Sequence, residues 1–338
     1  MPYARIADIA GHLPPAVLDN EQLAALYPGW SADKIFEKTG IRTRHVAAAD
    51  ETAGDLACAA ARALFARGTV SAGDVDFIIL CTQAPDYILP TTACLLQDRL
   101  GIATGAGALD VNLGCSGFVY CLSLAKGLVE SGSAKCVLVL TADTYSKYIH
   151  PLDKSVRTLF GDAAAATAVV ACEAERAPIG PFVFGTDGSG ARNLIVETGA
   201  ARMPRSGETA IEHTDDSGNV RSRDNLYMAG ASIMSFSLNA VPRAAAALLD
   251  KAHTDKDAID YFVLHQANRF MLEALRKKLK VSDAQCPIHV EDCGNTVSST
   301  IPLTLAAMRD QGCFDTQKKL MLIGFGVGYS WAACLIDV

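Results

Sequence analysis

Apolar residues follow two kinds of pattern along the chain. Nearly continuous apolar runs of strand length, such as 74–82 and 135–143, alternate with segments such as 118–132, in which apolar residues recur at helical spacing. Apolar strands separated by amphipathic helices are typical of a sheet that is covered on both faces. The pattern therefore predicts an α/β fold. Residues at about 186–227 are richer in Gly, Ser, Thr, Asp and Arg, which indicates a long excursion of the kind that covers a site.

The chain contains an internal repeat. "VDFIILCTQAP" at 75–85 resembles "IDYFVLHQAN" at 259–268, where the polar residue that closes the apolar run is His265. The strand-like runs that come later in each copy match again. A duplicated unit of this length predicts two fused α/β halves, which we assign to residues 1–175 and 176–338.

The same comparison aligns Cys115 with Asn295. Each lies 17 residues before a glycine that is predicted to end a helix, Gly132 in the first copy and Gly312 in the second. If the halves pack about a pseudo-twofold axis, equivalent strand ends converge, and both residues then meet His265 in one site. A chance likeness between two α/β stretches remains open at this point.

The residue types at these positions suit acyl chemistry. Cys115 lies at the predicted N-terminus of a helix, where free N–H groups favour thiolate over thiol. Neutral His265 donates through one ring nitrogen and accepts through the other, and Asn295 supplies a fixed neutral donor. Such a set favours stabilising negative charge on a carbonyl oxygen over hydrolysis. Taken singly, each residue also has a structural interpretation, as a core cysteine, a satisfied histidine or a turn asparagine.

Composition excludes several classes of protein. The chain has 338 residues, 50% of them hydrophobic, and a net charge of −7, so it has no general attraction to nucleic acid or to a membrane. Without an N-terminal signal pattern or an apolar run of about 18 residues, we expect a soluble, cytoplasmic protein. Its 11 cysteines are scattered without CxxC pairs, which predicts reduced thiols and neither a disulfide framework nor a metal site.

A series of longer motifs is more specific. They are "KTGIRTRHVA" (38–47), "LPTTACLLQDRLG" (89–101), "NLGCSGFVY" (112–120), "LFGDAAAA" (159–166), "DGSG" (187–190), "HQANRFM" (265–271), "GNTVSSTIP" (294–302) and "GFGVGYSWAACLI" (324–336). In this order they resemble the thiolase superfamily and, within it, the β-ketoacyl-ACP synthase III family and its acyltransferase relatives. The resemblance implies a five-layer αβαβα fold of two pseudo-symmetric halves, a homodimer, and a catalytic triad of Cys115, His265 and Asn295.

The resemblance also implies a reaction. Cys115 takes an acyl group from acyl-CoA or acyl-ACP, after which a malonyl thioester, malonyl-ACP or malonyl-CoA, loses CO₂ and condenses with that group. His265 and Asn295 hydrogen-bond the thioester oxygen on which enolate character develops. Thioesters are the substrates, and no cofactor or metal is implied.

The last glycine-rich turn, 324–331, is part of the implied site. Phe325 lies there as a gate, and the backbone N–H of Val327, next to Gly326, joins that of the nucleophile in an oxyanion hole. The turn has no cysteine, whereas thiolases carry a second catalytic cysteine in it. Gln83 stands where hydroxymethylglutaryl-CoA synthases have a glutamate acid/base, and an amide cannot shuttle a proton.

Several positions depart from the family's pattern at the substrate entrance. A Trp and an Arg that clasp CoA in general initiating enzymes correspond to Lys34 and Lys38, and a stacking Arg corresponds to Lys154, which weakens the inference that free CoA is the donor. The family's carrier-docking arginine is replaced by Phe270, and Leu89 matches a residue that enters the neighbouring subunit's acyl pocket. Four basic residues are candidate contacts for an acidic acyl carrier protein, or form a solvated helix face: Arg269, Arg276, Lys277 and Lys278.

The leading interpretation is a condensing enzyme of fatty-acid or specialised acyl synthesis. The alternative is an acyltransferase of the same fold that moves the acyl group from Cys115 to an alcohol or amine, with His265 as general base. A catalytically inactive partner in a heterodimer is a third reading, against which the complete triad argues. Acyl chain length, branching and donor carrier stay open.

Overall fold

The computed structural model describes residues 2–338. The strands are β1 (Tyr3–His12), β2 (Ala16–Asp19), β3 (Thr43–Val46), β4 (Phe77–Cys81), β5 (Gly107–Val111), β6 (Cys136–Asp143), β7 (Ala163–Cys172), β8 (Ile179–Thr186), β9 (Leu194–Ile195), β10 (His213–Thr214), β11 (Val220–Arg221), β12 (Tyr227–Met228), β13 (Tyr261–Leu264), β14 (Lys319–Gly326) and β15 (Ser330–Asp337). The α-helices are α1 (Asn20–Leu26), α2 (Ala32–Thr39), α3 (Ala53–Ala66), α4 (Thr92–Arg99), α5 (Gly117–Glu130), α6 (Lys154–Arg157), α7 (Gly230–Ala252), α8 (Arg269–Leu279) and α9 (Thr300–Asp310).

Two mixed sheets repeat one topology. The first has the order β1-β7-β6-β4-β5 and the second the order β8-β15-β14-β13. In each, a central strand (β6 or β14) is parallel to one neighbour (β4 or β13) and antiparallel to the other (β7 or β15). The strands that the sequence repeat aligns therefore hold equivalent places, and the second sheet lacks only a counterpart of β5. The chain passes from one sheet to the other between Cys172 and Ile179; the division near residue 175 stays a prediction.

The hydrophobic cores stack into five layers. Helices α3 and α4 pack on the outer face of the first sheet, α5 and α9 lie between the sheets, and α7 and α8 pack on the outer face of the second. Side chains of the middle core come from both central helices and both sheets, for example Phe118, Leu122, Ile301, Val139 and Leu322. A sheet that is buried on both faces explains why its strands are apolar at nearly every position.

Local signals set the ends of the central helices. Gly132 follows α5 and Gly312 follows α9, each with φ of 76°, the left-handed conformation that glycine adopts without steric cost. At the other end of α5, Ser116 makes no side-chain capping bond. The N–H of Gly117, the first residue of α5, donates instead to the carbonyl of Gly114 at 2.8 Å.

Helix α7 is long and apolar enough by composition to cross a membrane, with 23 residues and a mean hydropathy of 1.2. Its buried face, which includes Val241, Ala244 and Leu248, belongs to the outer core of the second sheet. The helix therefore packs with one face against the second sheet, and 39% of its apolar window is buried.

The polar excursion lies over the ends of the strands. Between β8 and α7 the chain forms a 3-10 turn over Gly188–Asn193 and two small ribbons, β9 with β12 and β10 with β11. Leu194 and Met228 of this segment line the cavity beside Cys115. The excursion therefore covers the site, as its composition indicates.

Candidate active site

Cys115 lies in the corner between β5 and α5 and is 4% exposed. The end of β14 approaches it closely, because a Cβ at Gly326 would lie 2.8 Å from Cys115 Cβ and 2.9 Å from its Sγ. Two residues earlier, a Cβ at Gly324 would lie 2.8 Å from the Cys115 carbonyl oxygen. Only glycine at these two positions lets the second half contact the backbone of the first.

Burial dominates the electrostatics of this thiol. It raises the pKa of Cys115 to about 12, the charge of nearby Asp143 acts in the same direction, and the backbone N–H groups of Val327 and of Cys115 itself act in the opposite direction. The unliganded protein thus holds a neutral thiol. Burial therefore acts against the thiolate that the helix N-terminus is expected to favour, because removing the anion from water costs free energy.

His265 follows the last residue of β13 and is 2% exposed. Its Nδ1 lies 2.7 Å from Thr300 Oγ1, which is 3.2 Å from the carbonyl oxygen of Val297. Burial lowers the pKa of His265 to about 3, so the imidazole is neutral at physiological pH. Since Thr300 occupies Nδ1, Nε2 is the nitrogen available to the cavity.

Asn295 is held by the first half of the chain. Its backbone N–H donates to Leu159 O at 2.9 Å, and its carbonyl accepts from Gly161 N–H at 3.0 Å. Its side-chain Oδ1 accepts from the N–H of Val297, whose φ of 55° is rare for a β-branched residue. Within residues 2–338, Nδ2 has no hydrogen-bond partner, and the side chain lines the same cavity as Cys115. A fixed amide donor therefore points at open space.

One cavity of about 270 Å³ brings these groups together. Its lining includes the thiol, the imidazole and the carboxamide together with Phe325 and Gly326; Cys115, His265 and Asn295 are separated by up to 180 residues in the chain. Phe325 packs edge-on against the imidazole at a ring separation of 5.5 Å. The backbone N–H of Val327 lies close enough to the Cys115 thiol to lower its pKa.

The mouth of this cavity is basic and carries an aromatic ring that the sequence analysis missed. Trp30 lines it together with Lys38 and Lys154. The Nζ atoms of Lys34 and Lys38 lie 5.3 and 5.8 Å from the Trp30 ring centroid, and Lys154 Nζ donates to the carbonyl of Ser217 in the excursion. Trp30 stands four positions before the family's aromatic position, and a search for any Trp near "KTGIR" would have found it.

The other predicted contacts separate into two groups. Arg269 is paired with Glu291 at 2.7 Å and Arg276 with Asp283 at 2.7 Å, so their charges are already engaged. Lys277 and Lys278 on α8 are exposed, and no ion pair of theirs is found among residues 2–338. Leu89 is 79% exposed and lies outside the cavity of its own chain.

A buried carboxyl group also escaped the sequence analysis. Asp143, at the end of β6, accepts from Gln83 N–H at 2.9 Å and from the N–H and hydroxyl of Ser298 at 3.2 and 2.5 Å. Burial raises its pKa to about 7. It thus ties the end of β4 to the turn that carries Asn295.

A second cavity is larger than the one that Cys115 lines. Its volume is about 1140 Å³, and it is lined by parts of the excursion and by Gln83, Tyr145 and Val327, but not by Cys115. In the part of the chain that the structure describes, no group of three or more His, Cys, Asp or Glu side chains is arranged to hold a metal ion.

The fold and this site define a condensing enzyme of the thiolase-like class. Comparison with known proteins identifies the branch: the family described as 3-oxoacyl-[acyl-carrier-protein (ACP)] synthase III matches residues 109–188, and its C-terminal domain matches residues 249–338. A β-ketoacyl-[acyl-carrier-protein] synthase III of Xylella fastidiosa (strain 9a5c) is 38% identical over 334 residues, which are 99% of this chain and 98% of that protein. The chain belongs to the β-ketoacyl-ACP synthase III family of acyltransferases.

Solved structures agree with this assignment. A 2.1 Å crystal structure of a 3-oxoacyl-(acyl-carrier-protein) synthase III has a TM-score of 0.99 and 66% identity, with 100% of both chains covered. The 3-oxoacyl-(acyl-carrier protein) synthase of Burkholderia xenovorans LB400 has a TM-score of 0.91 and 37% identity, covering 99% of this chain and 94% of that one. The predicted fold, family and enzyme class are confirmed.

Proposed function

We propose that Cys115 carries an acyl group and that His265 and Asn295 stabilise the enolate of a malonyl thioester that condenses with it. The observation that supports this most strongly is the free Nδ2 of Asn295, which lines the cavity of Cys115 opposite an imidazole held neutral by burial. Neutral donors that line one cavity suit a developing oxyanion better than they suit a cation or a free water.

In the first step, the Cys115 thiol loses its proton to Nε2 of His265. The thiolate attacks the carbonyl carbon of the acyl thioester, and the N–H groups of Cys115 and Val327 donate to the oxygen of the tetrahedral intermediate. The carrier's thiolate leaves and takes up the proton from His265. Burial keeps the Cys115 thiol protonated, so its proton has to be taken up as the sulfur attacks, and Nε2 of His265 is the acceptor that this site offers.

In the second step, the malonyl carboxylate leaves as CO₂ and its bonding electron pair forms an enolate. Asn295 Nδ2 and His265 Nε2–H donate to the enolate oxygen, and its carbon attacks the acyl carbonyl. The bond to Cys115 breaks, and the released thiolate regains a proton from solvent. His265 must therefore accept in one step and donate in the other, and the Thr300 hydroxyl, able to accept from or donate to Nδ1, supports both tautomers.

The entrance supports a phosphorylated carrier as the donor. Lys38 and Lys154 supply positive charge at the mouth, with Lys34 beside them, and Trp30 supplies a ring for stacking. We assign acyl-CoA or acyl-ACP as donor, malonyl-ACP as extender, and a cytoplasmic homodimer in fatty-acid or specialised acyl synthesis as the working form. The substrates themselves supply the reacting groups, so the reaction as written involves no metal or prosthetic group.

A second candidate is acyl transfer from Cys115 to an alcohol or amine. The free Nε2 of His265 favours it, because an unprotonated ring nitrogen beside Cys115 can accept the proton of an acceptor hydroxyl.

Intact mass spectrometry after incubation with acyl-CoA and acyl-ACP donors tests the nucleophile. We expect a single acyl adduct that Cys115→Ala abolishes and Cys94→Ser retains, since Cys94 is an exposed cysteine outside the cavity. If no donor forms an adduct, the proposal fails.

Addition of malonyl-ACP to the acylated protein then separates the two reactions. Release of CO₂ with a β-ketoacyl product supports condensation. Deacylation by alcohols or amines without release of CO₂ would favour plain transfer.

A further inference from the structure

The polar excursion carries a hairpin, residues 213–221, that packs on helix α6. Strands β10 and β11 form it, and the N–H of Val220 donates to the carbonyl of Leu152 at 3.3 Å, just before the helix. Helix α6 contributes Lys154 and Ser155 to the lining of the 270 Å³ cavity, whereas no residue of the hairpin lines that cavity in the described chain. Contacts with α6 therefore connect the hairpin with the cavity mouth.

Asp153, the residue before α6, is fixed to the hairpin by a buried ion pair. Its Oδ1 accepts from the N–H of Ser155 at 3.0 Å and caps the helix, and its Oδ2 accepts from Arg221 Nη1 at 2.7 Å. The Asp153 side chain is 1% exposed. A buried carboxylate is costly unless it is paired, and Arg221 supplies a compensating charge. The start of α6 is thus tied to β11.

Arg221 holds the turn of the hairpin at the same time. Its Nη2 donates to Asp215 Oδ2 at 2.6 Å, and Asp215 Oδ1 accepts from the N–H groups of Ser217 and Asn219 at 3.0 and 2.9 Å. The guanidinium lies 5.2 Å from the ring centroid of Tyr227. A planar guanidinium reaches two carboxylates at once, which the ammonium of a lysine does not reproduce.

The turn that Arg221 fixes lies directly against Lys154. Lys154 Nζ donates to the carbonyl of Ser217, and a Cβ at Gly218 would lie 3.6 Å from that nitrogen. A free lysine side chain has many rotamers, so its charge is spread over a wide volume. The Ser217 carbonyl therefore holds the ammonium at one place at the cavity mouth.

We propose that Arg221 is a positioning residue for the thioester donor: by holding Asp153 and the turn at 215–219, it keeps Lys154 in place for the phosphate groups of the donor's carrier. This inference rests on the proposed function, in which Lys154 supplies positive charge to that carrier. Restricting Lys154 before binding lowers the entropy that is lost on binding. The effect of Arg221 therefore falls on the carrier and not on the transfer of the acyl group.

The test compares two acetyl donors in the acylation of Cys115, followed by intact mass. Acetyl-CoA carries phosphate groups, whereas acetyl-N-acetylcysteamine carries the same acyl group on a thiol without phosphate. In Arg221→Gln we expect the half-saturating concentration of acetyl-CoA to rise about tenfold at an unchanged maximal rate, and acylation by acetyl-N-acetylcysteamine to stay unchanged. Arg223→Gln removes another arginine of the excursion, which is paired with Glu197, and is the matched control without effect on either donor.

A double-mutant cycle shows whether Arg221 acts through Lys154. Lys154→Met removes the ammonium and should itself raise the half-saturating concentration of acetyl-CoA. Adding Arg221→Gln to Lys154→Met should then change nothing further, because the group that Arg221 positions is already gone. Additive losses would overturn the inference.

Two other results would also overturn it. One is an equal loss with both donors in Arg221→Gln, and the other is an unchanged response to acetyl-CoA. If thermal unfolding shows that Arg221→Gln does not fold, Asp215→Asn, which weakens the same network at a side chain that is 33% exposed, decides by the same criteria. Absence of any adduct from either donor in the wild-type protein would instead contradict the proposed function itself.

Discussion

At the scale of single residues, the site depends on which atoms are left without a partner. Asn295 uses its Oδ1 internally and keeps Nδ2 free, and His265 uses Nδ1 and keeps Nε2 free. Both residue types could be predicted from the sequence repeat. Which of their atoms face the substrate could not, because Val297 and Thr300 make that selection through contacts formed only in the folded turn.

Removing the amide of Asn295 should separate the two chemical steps. We expect Asn295→Ala to lower CO₂ release from malonyl-ACP by about 10²- to 10³-fold, the usual effect of losing one oxyanion donor. Acylation of Cys115 should change little, since the oxyanion hole of that step consists of backbone N–H groups. Equal losses in both steps, measured by CO₂ release and intact mass, would show that Asn295 acts on the structure alone.

The carboxyl group of Asp143 should make Cys115 reactivity depend on pH. Burial raises the pKa of Asp143 from 3.8 to about 7, so its carboxylate forms as the pH rises through 7, and that charge raises the pKa of Cys115. The carboxyl also has Asp162, Tyr145 and Tyr148 as titratable neighbours. In Asp143→Asn no charge forms.

We therefore expect iodoacetamide to alkylate Cys115 severalfold faster in Asp143→Asn than in wild type at a pH of about 8.5, because the thiol no longer has a negative charge beside it. At a pH of about 5.5, where Asp143 is protonated in the wild type, the two rates should coincide. Peptide mass spectrometry assigns the adduct to Cys115. A rate ratio that is the same at both pH values contradicts this assignment.

At the scale of elements, the end of β14 packs tightly against the corner before α5. Glycines at 324 and 326 allow it, and α5 begins there without a side-chain cap. The sequence pattern predicted helix α5, the glycine that follows it and strand β14. It did not predict that burial of this corner keeps the thiol neutral, because desolvation depends on everything packed around it.

A methyl group at 326 should displace the nucleophile. In Gly326→Ala the added Cβ would meet Cys115 Sγ at 2.9 Å, so we expect acylation to fall at least about 100-fold, as displacements of this size do in positioned sites. Gly188→Ala is the control, since a Cβ there meets no atom within 4 Å. The rate of Cys115 acylation, measured together with thermal unfolding, separates a local effect from loss of the fold. If Gly326→Ala is acylated at the wild-type rate, the close approach of residue 326 to Cys115 is refuted.

At the scale of the whole molecule, a net charge of −7 coexists with local basic surfaces. Lys277 and Lys278 are exposed on α8 without an ion pair in the described chain, whereas Arg269 and Arg276 are neutralised by acidic neighbours. The predicted carrier-docking surface is therefore narrower than the cluster of four basic residues that the sequence indicates.

Reversing the two free charges should weaken recognition of a carrier protein but not of CoA. For Lys277→Glu with Lys278→Glu, we expect the KM for malonyl-ACP to rise about tenfold or more and the KM for acyl-CoA to stay unchanged. Lys135→Glu with Arg62→Glu, which reverses two exposed charges before β6 and on α3, changes the net charge by the same amount and is the control. The rise should shrink at high ionic strength, and an equal rise for both substrates would place the effect at the cavity mouth instead of on α8.

The sequence by itself determined the α/β class, the duplication and the pairing of Cys115 with Asn295, because apolar periodicity and repeat register are properties of the chain. Only the tertiary structure decided the protonation of the thiol and the atoms of His265 and Asn295 that remain free. These features depend on burial and on contacts between residues far apart in the chain. Such contacts exist only once the two sheets have closed around the central helices.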